Sequence, residues 1–518
     1  MRVLLTIPYS DNDIRNSLGF VSPPLGLGYV ASYLREFGSH EVLIHDGMLH
    51  QTTDDEFADL VSDYRPDIVG ISAQATPAIY DVYRFAAVVK DCDPDCNVVV
   101  GGAHASFSDD LILRDAPQID FVVRGEGERV MLELLERIGA DQFDKVKGIT
   151  YRSKSNMQRN PSPPPIGDLD ALPFPAYDLM EMNQYLQGPI RVGTMISSRG
   201  CPYKCTFCSS SRSSGKKWRG RSAENVVEEI ELLVKNYKIN ELEFLDDLFC
   251  YDPMRVKQIC DLMRARNISL NWTCSVRADI LSNNPLMAKG LREAGCRSVY
   301  IGVESGKQRV LDLMRKGITL QQVWRSNEIA KRAKLERIFS FVLGYPGETQ
   351  EEAMSTILMA CRLNPEIAQF TICTPYPGTP LFEHAKKEGL LKAKSWRDYS
   401  VLAPVMELTT ISKKKLKEIL YQAYFRFYLR PSVIWRQIKS KNIFFLGKIL
   451  EGIRAYIRKR SRLAGQEPTL THESSKCKDS YGITERPQGD CLTITAETDT
   501  TVRGLSFEND CEGKITSG

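Results

Sequence analysis

The chain has 518 residues, a formal net charge of +3, 42% hydrophobic residues and 26% charged ones. That length predicts two large domains with additions, and a net charge so close to balance gives no sign of nucleic-acid binding, although it averages over a strongly basic segment near the C-terminus. No run of eighteen or more apolar residues occurs, so no membrane-spanning helix is expected.

The N-terminus, MRVLLTIPYSDND, lacks a small-residue cleavage site and reads as a first strand rather than a signal peptide, which places the chain in the cytoplasm. Short apolar runs then alternate with helical stretches through residue 140. Strands are expected at 3–7, 41–45, 68–72, 97–100 and 121–123, with helices over 26–37, 54–64, 78–90 and from 129 onward. The pattern predicts an α/β, doubly wound domain over 1–140, whose Gly- and Pro-rich turns follow the strand ends where such sheets bind ligands.

Residues 141–190 lose the alternation. The cluster Pro161-Ser162-Pro163-Pro164-Pro165, with Pro173 and Pro175, fits neither helix nor central strand and is read as a linker. Alternation resumes over 191–410, with strands expected at 195–198, 241–245, 272–276, 298–302, 337–343 and 368–373. Six such units predict a parallel (βα)6 partial barrel.

A C-terminal helical segment, 411–463, carries fifteen Lys and Arg against two Glu, interleaved with Phe425, Phe427, Tyr428, Trp435, Phe444 and Phe445. Two readings stay open for it: a helical cap over the barrel, or an interfacial helix touching a membrane surface reversibly. Residues 464–518 are polar and aperiodic and are expected to be disordered.

Fourteen cysteines without a secretory signal argue against a disulfide framework. Cys250, Cys260, Cys274, Cys296, Cys361 and Cys373 stand singly and read as reduced buried thiols. Cys201, Cys205 and Cys208 differ, because CPYKCTFC sets them in a CxxxCxxC spacing directly after an expected strand. Three thiolates hold three irons of a cubane cluster and leave the fourth iron open to a substrate.

This loop, with Phe207 before the third cysteine, resembles the signature of the radical S-adenosylmethionine (SAM) superfamily. The resemblance implies a 4Fe–4S cluster on Cys201, Cys205 and Cys208, and SAM bound at the open iron and cleaved to a 5′-deoxyadenosyl radical. It also implies an electron donor such as flavodoxin or ferredoxin. Further segments follow in the expected order: LDDLF from Leu245, VRAD from Val276, IGVES from Ile301 and LGYPGET from Leu343. By this resemblance Phe207, Asp246, Arg277 and Glu304 contact SAM.

The first domain carries PPLGLG from Pro23, GIS from Gly70, GGAHASF from Gly101 and RGEGE from Arg124. Their order before a CxxxCxxC domain resembles the cobalamin-binding subfamily, over roughly residues 1–440. The resemblance implies cobalamin contacts at Gly26, Ser72, Gly101, Gly102, Glu126 and Gly127. None of the six histidines lies in the Asp-x-His-x-x-Gly context that supplies a cobalt ligand, so His104 is read as a packing residue.

The expected function is a cobalamin-dependent radical SAM enzyme that methylates an unactivated carbon of a small or lipid-like substrate. Two alternatives stay open: an oxidative cyclase or carbon–carbon bond-forming enzyme of the anaerobic magnesium-protoporphyrin monomethyl ester cyclase type, and a non-catalytic cobalamin or redox sensor. No acid–base pair or triad is assigned, and radical chemistry needs none. The site of action is the cytoplasm, with contact at the inner face of the membrane if the basic helices reach it.

Overall fold

The computed structural model describes residues 1–11, 22–140, 142–153, 156–186 and 189–439. The expected tail, 464–518, and the second half of the basic segment lie outside the described residues. Among the described residues no helix is long and apolar enough to cross a membrane.

The first sheet has seven strands: β1 (Arg2–Ile7), β2 (Glu41–Asp46), β3 (Ile68–Ser72), β4 (Asn97–Gly101), β5 (Phe121–Val123), β6 (Ile149–Ser153) and β7 (Asn156–Arg159). Their order is β2-β1-β3-β4-β5-β6-β7. The first five run parallel, and helices such as Leu25–Gly38 and Ile79–Cys92 cross between them. The order in which strands are added reverses between β1 and β3, the switch point where open α/β sheets form a crevice beyond their strand ends.

The hairpin β6–β7 corrects one expectation. Residues 149–159 fall within the expected linker, yet β6 pairs antiparallel with β5 and β7 with β6. The reason is edge protection: β5 is three residues long, and Ile149 and Tyr151 cover its flank, with Tyr151 tilted against Phe121 and Phe143. The proline cluster follows without regular structure.

The second sheet begins with β8 (Val192–Met195), and a two-residue ribbon, β9 (Ser198–Arg199) with β10 (Arg219–Gly220), follows it. The sheet continues through β11 (Glu241–Phe244), β12 (Asn271–Ser275), β13 (Cys296–Glu304), β14 (Glu336–Leu343) and β15 (Ile367–Ile372). Its order, β15-β14-β13-β12-β11-β8, adds each strand beside the last, and every pair is parallel. This is the six-strand partial barrel. The first strand ends three residues earlier than expected because Ser197 leaves the ladder to bond the Asp246 carboxylate.

Alternation along these strands separates two faces. Val299, Ile301, Phe339, Phe341, Ala368 and Phe370 are fully buried against the helices. Tyr300, Ser340 and Thr371, on the other face, stay half-buried. A cavity of about 260 Å³ lies on this inner face, lined by Glu243, Thr273 and Tyr300 among others.

Helix Lys413–Tyr428 packs Leu416, Ile419, Leu420, Ala423 and Phe427 inward. It also serves the free edge of β15. Tyr428 donates to Ala368 O at 2.8 Å and accepts from Ala368 N, while Tyr424 donates to Phe370 O at 3.0 Å. The described half of the basic segment is thus a cap.

The same helix presses on the turn after β14. Gly344 has φ +78°, and a Cβ there would come within 2.4 Å of Leu416. In this turn Glu348 is fully buried, and one carboxylate oxygen has no partner. Burial pushes its carboxyl up to about 7, against the pull of the Gly344 and Tyr345 N–H groups. A carboxyl raised on folding binds its proton more tightly in the native state, so stability falls as pH rises from about 4.5 to 7 and is level above that. Glu348→Gln is expected to remove this slope and raise stability at pH 8 by about 1–3 kcal/mol, the desolvation of one buried polar group. Urea unfolding at pH 5 and pH 8 checks it; an unchanged slope in the variant would assign the pH dependence elsewhere.

Candidate cofactor site

Beyond the C-terminal ends of β3, β4 and β5 lies a cavity of about 350 Å³. Gly26, Ser72, Gly101, Gly102, Glu126 and Gly127, the six residues expected to contact cobalamin, all line it. The opposite wall comes from the second sheet's domain, through Ile196, Ser198, Arg199, Leu245 and Asp247.

The residues fit a flat macrocycle fringed with amides. The floor is apolar, with Leu5, Ile71, Val99, Val123 and Met131. A Cβ on Gly26 or Gly125 would meet nothing within 4 Å, so the glycines leave open space rather than tight packing. Gly102 is different: at φ +106° its Cβ would stand 2.9 Å from Ala73 O, which only glycine avoids. Ser72 offers a half-buried hydroxyl at the end of β3.

Glu126 lines this cavity but its carboxylate is already engaged. It accepts from Arg219 at 2.8 and 3.1 Å and from Ile166 N at 2.6 Å, and Arg199 lies 3.4 Å away. These partners hold its carboxyl below the ordinary value although burial opposes them. No described histidine lines the cavity. His104 sits edge-on to Trp396, with Nδ1 3.1 Å from Thr76 Oγ1. Burial pushes it down to about 4, so it packs as a neutral ring.

The cysteine loop follows β9. Cys201 N–H donates to Gly215 O at 3.1 Å. Thr206 N–H donates to Met314 O at 3.0 Å, and Thr206 Oγ1 lies 2.8 Å from the Tyr345 hydroxyl. Phe207 packs against the main core and anchors the loop from below. The three cysteines remain partly exposed. Burial raises the Cys201 and Cys205 thiols, and neighbouring thiols add to this. Among the described residues no three Cys, His, Asp or Glu converge on a single ion. A cubane asks for the other arrangement, one thiolate on each of three irons.

The remaining expected SAM contacts divide. Glu304, at the end of β13, adopts φ +66° beside a register shift and accepts from Lys316 Nζ at 2.7 Å. Both groups act on the Cys205 thiol and so lie near the loop. Arg277 has its guanidinium 3.4 Å from the Tyr203 ring centroid and donates to Asp279 and to Lys316 O; it steadies the loop from within the motif. Asp246 is held by the residues that follow β8. It is buried, with Ser197 N–H, Ser197 Oγ and Ser198 Oγ all donating to its carboxylate. It ties two strand ends together, and Asp247 is the neighbour that lines the cavity. The sequence reading also missed Arg199, Tyr203 and Lys316.

The crevice cradle and the three-cysteine loop, which begins two residues after Arg199 of the cavity wall, are thus neighbouring sites. Residues 195–360 match the family model of the radical SAM superfamily, and residues 12–135 match that of the B12 binding domain. The chain is 39% identical over 454 residues to an uncharacterized methyltransferase from Pyrococcus horikoshii, covering 88% of this chain and 98% of that one. It is 31% identical to the anaerobic magnesium-protoporphyrin IX monomethyl ester cyclase of Rubrivivax gelatinosus, covering 80% and 75%. Among solved structures, the cobalamin-dependent S-adenosylmethionine radical enzyme OxsB shares the fold with a TM-score of 0.69 at 18% identity, over 82% of this chain and 65% of that longer one. The radical S-adenosylmethionine methyltransferase TsrM from Kitasatospora setae gives 0.64 at 19% identity, over 76% and 79%. The chain belongs to the cobalamin-dependent radical SAM methyltransferase family. It is a radical SAM enzyme whose cofactors are a 4Fe–4S cluster, SAM and cobalamin; the sensor alternative falls.

With no described histidine on the cavity wall, paramagnetic resonance of the cob(II)alamin-loaded protein is expected to show no superhyperfine splitting from a histidine nitrogen. His104→Ala should leave the spectrum unchanged. Splitting that disappears in this variant would make His104 a ligand.

Proposed function

We propose that the enzyme methylates an unactivated carbon of a small or lipid-like substrate, with the cluster held by Cys201, Cys205 and Cys208. The observation that carries this reading is the shared cavity, which has the glycine cradle on one wall and the strand ends beside the cysteine loop on the other. Bound together, these groups supply a radical that removes hydrogen and a methyl group to replace it. The chain's residues hold them at one gap, with Gly26, Ser72, Gly101, Gly102 and Gly127 shaping the cradle and Glu304 with Lys316 at the loop. The 39% identical methyltransferase supports methylation. The cyclase relative supports a second reading, ring closure without methyl gain. Anaerobic incubation with SAM, reductant and candidate extracts tests it by mass spectrometry. A product heavier by one CH2 is expected, and a product made without methyl gain would favour the cyclase.

For the cluster, Cys201→Ala, Cys205→Ala and Cys208→Ala are each expected to abolish 5′-deoxyadenosine formation after anaerobic reconstitution, while Cys361→Ser retains it. Normal formation by any of the three alanine variants would remove that cysteine from the site.

An acidic flavodoxin or ferredoxin in the cytoplasm suits the single-electron demand of the cluster. For membrane contact, helix Pro431–Lys439 carries Ile434 and Trp435 exposed, while its Arg436 is held by Pro365 O and Glu366. Each basic residue near an anionic surface contributes about 1 kcal/mol. Sedimentation with anionic liposomes is expected to capture the enzyme and to weaken with salt. Equal recovery with neutral liposomes would leave only the cap.

A further inference from the structure

We propose that Arg199 is a positioning residue that couples the cobalamin cradle to the cluster loop, so that filling one tightens the other; this rests on the cofactor reading above. Arg199 stands two residues before Cys201 and ends β9. Its guanidinium donates to Glu128 Oε1 at 2.6 Å, lies 3.4 Å from Glu126 Oε1, and sits over the Tyr29 ring, 5.1 Å from its centroid. Glu126 and Glu128 flank Gly127 in the cradle. The cluster loop is therefore bolted to the cradle by one side chain.

The ribbon doubles the link. Arg219 of β10 pairs across from Arg199 and binds Glu126 with both guanidinium nitrogens. It also donates to Ser214 O at 2.6 Å, next to the Gly215 carbonyl that accepts from Cys201 N–H. Two arginines facing each other repel unless both carboxylates are present. Two positive and two negative charges cancel, and all four side chains are at most 13% exposed.

Buried charges of this kind have little latitude: moving one member uncovers another. Ordering the loop around a cluster fixes Arg199, Arg199 fixes Glu128 and Glu126, and these set the cradle wall. Linkage then requires reciprocity, since a cluster that favours the closed cradle is itself favoured by a filled one.

The test titrates hydroxocobalamin into the full chain by absorbance, with the cluster removed and with it reconstituted from iron and sulfide. In the native sequence the cluster is expected to tighten hydroxocobalamin binding about fivefold or more, the lower range of site–site coupling. Arg199→Gln and Glu128→Gln should bring the ratio within about twofold, and Arg199→Lys should keep part of it through its charge. Circular dichroism and the thermal midpoint establish that each variant folds, and either Gln variant alone suffices if the other does not. A ratio of one in the native chain, or a native ratio in a folded Gln variant, would overturn the clamp. Absence of hydroxocobalamin binding in every form would instead overturn the cobalamin reading beneath it.

Discussion

The buried pairing of Arg199 with Glu128 and Glu126 is the contact on which the rest of the site depends, because it ties the crevice of the first sheet to the ribbon that leads into the cysteine loop. Either domain alone is a common scaffold compatible with many ligands. The first sheet opens a crevice beyond β3, β4 and β5, and the second presents strand ends beside three thiols. What makes these one site is that both edges face the same cavity. Aromatic packing secures the arrangement on another side, where Trp396 meets His104, Arg397 lies over Tyr80, and Phe107 fills the space a Cβ on Gly378 would need. Apolar contact keeps the domains together; the ion quartet fixes their register at the cofactors.

Much of this architecture was legible because it is local. A CxxxCxxC loop needs eight consecutive residues, and strand alternation needs five or six, so both survive in the sequence. The hairpin β6–β7 was obscured by its neighbours, the prolines, although Ile149-Thr150-Tyr151 carries the alternation. The ion quartet has no local signature. Glu126 and Arg219 are 93 positions apart, and Glu128 and Arg199 are 71 apart. Charge placement at such range becomes visible only after the sheets are placed.

The burial of Asp246 is legible in the alternation of β11. Along β11, Leu242 and Phe244 are apolar and buried, so even positions face the helices. Asp246 continues that side, and Glu243, Leu245 and Asp247 belong to the inner face. A carboxylate on the helix side must be satisfied internally, and Ser197 and Ser198 do so. The adjacent aspartates thus have different work: one closes the joint between strand ends, and the other borders the cavity.

The IGVES segment shows how tightly the sequence is bound to this geometry. Glu304 holds a left-handed backbone that costs about 1–3 kcal/mol for a residue with a side chain. The register shift between β13 and β14 creates that turn, and the Lys316 ammonium stabilises the carboxylate it presents. Gly302 then has no freedom of identity. A Cβ there would stand 2.3 Å from Glu304 Oε1 and 2.7 Å from Lys316 Nζ, in the space the ion pair occupies. The glycine, the strained glutamate and the distant lysine are therefore one device.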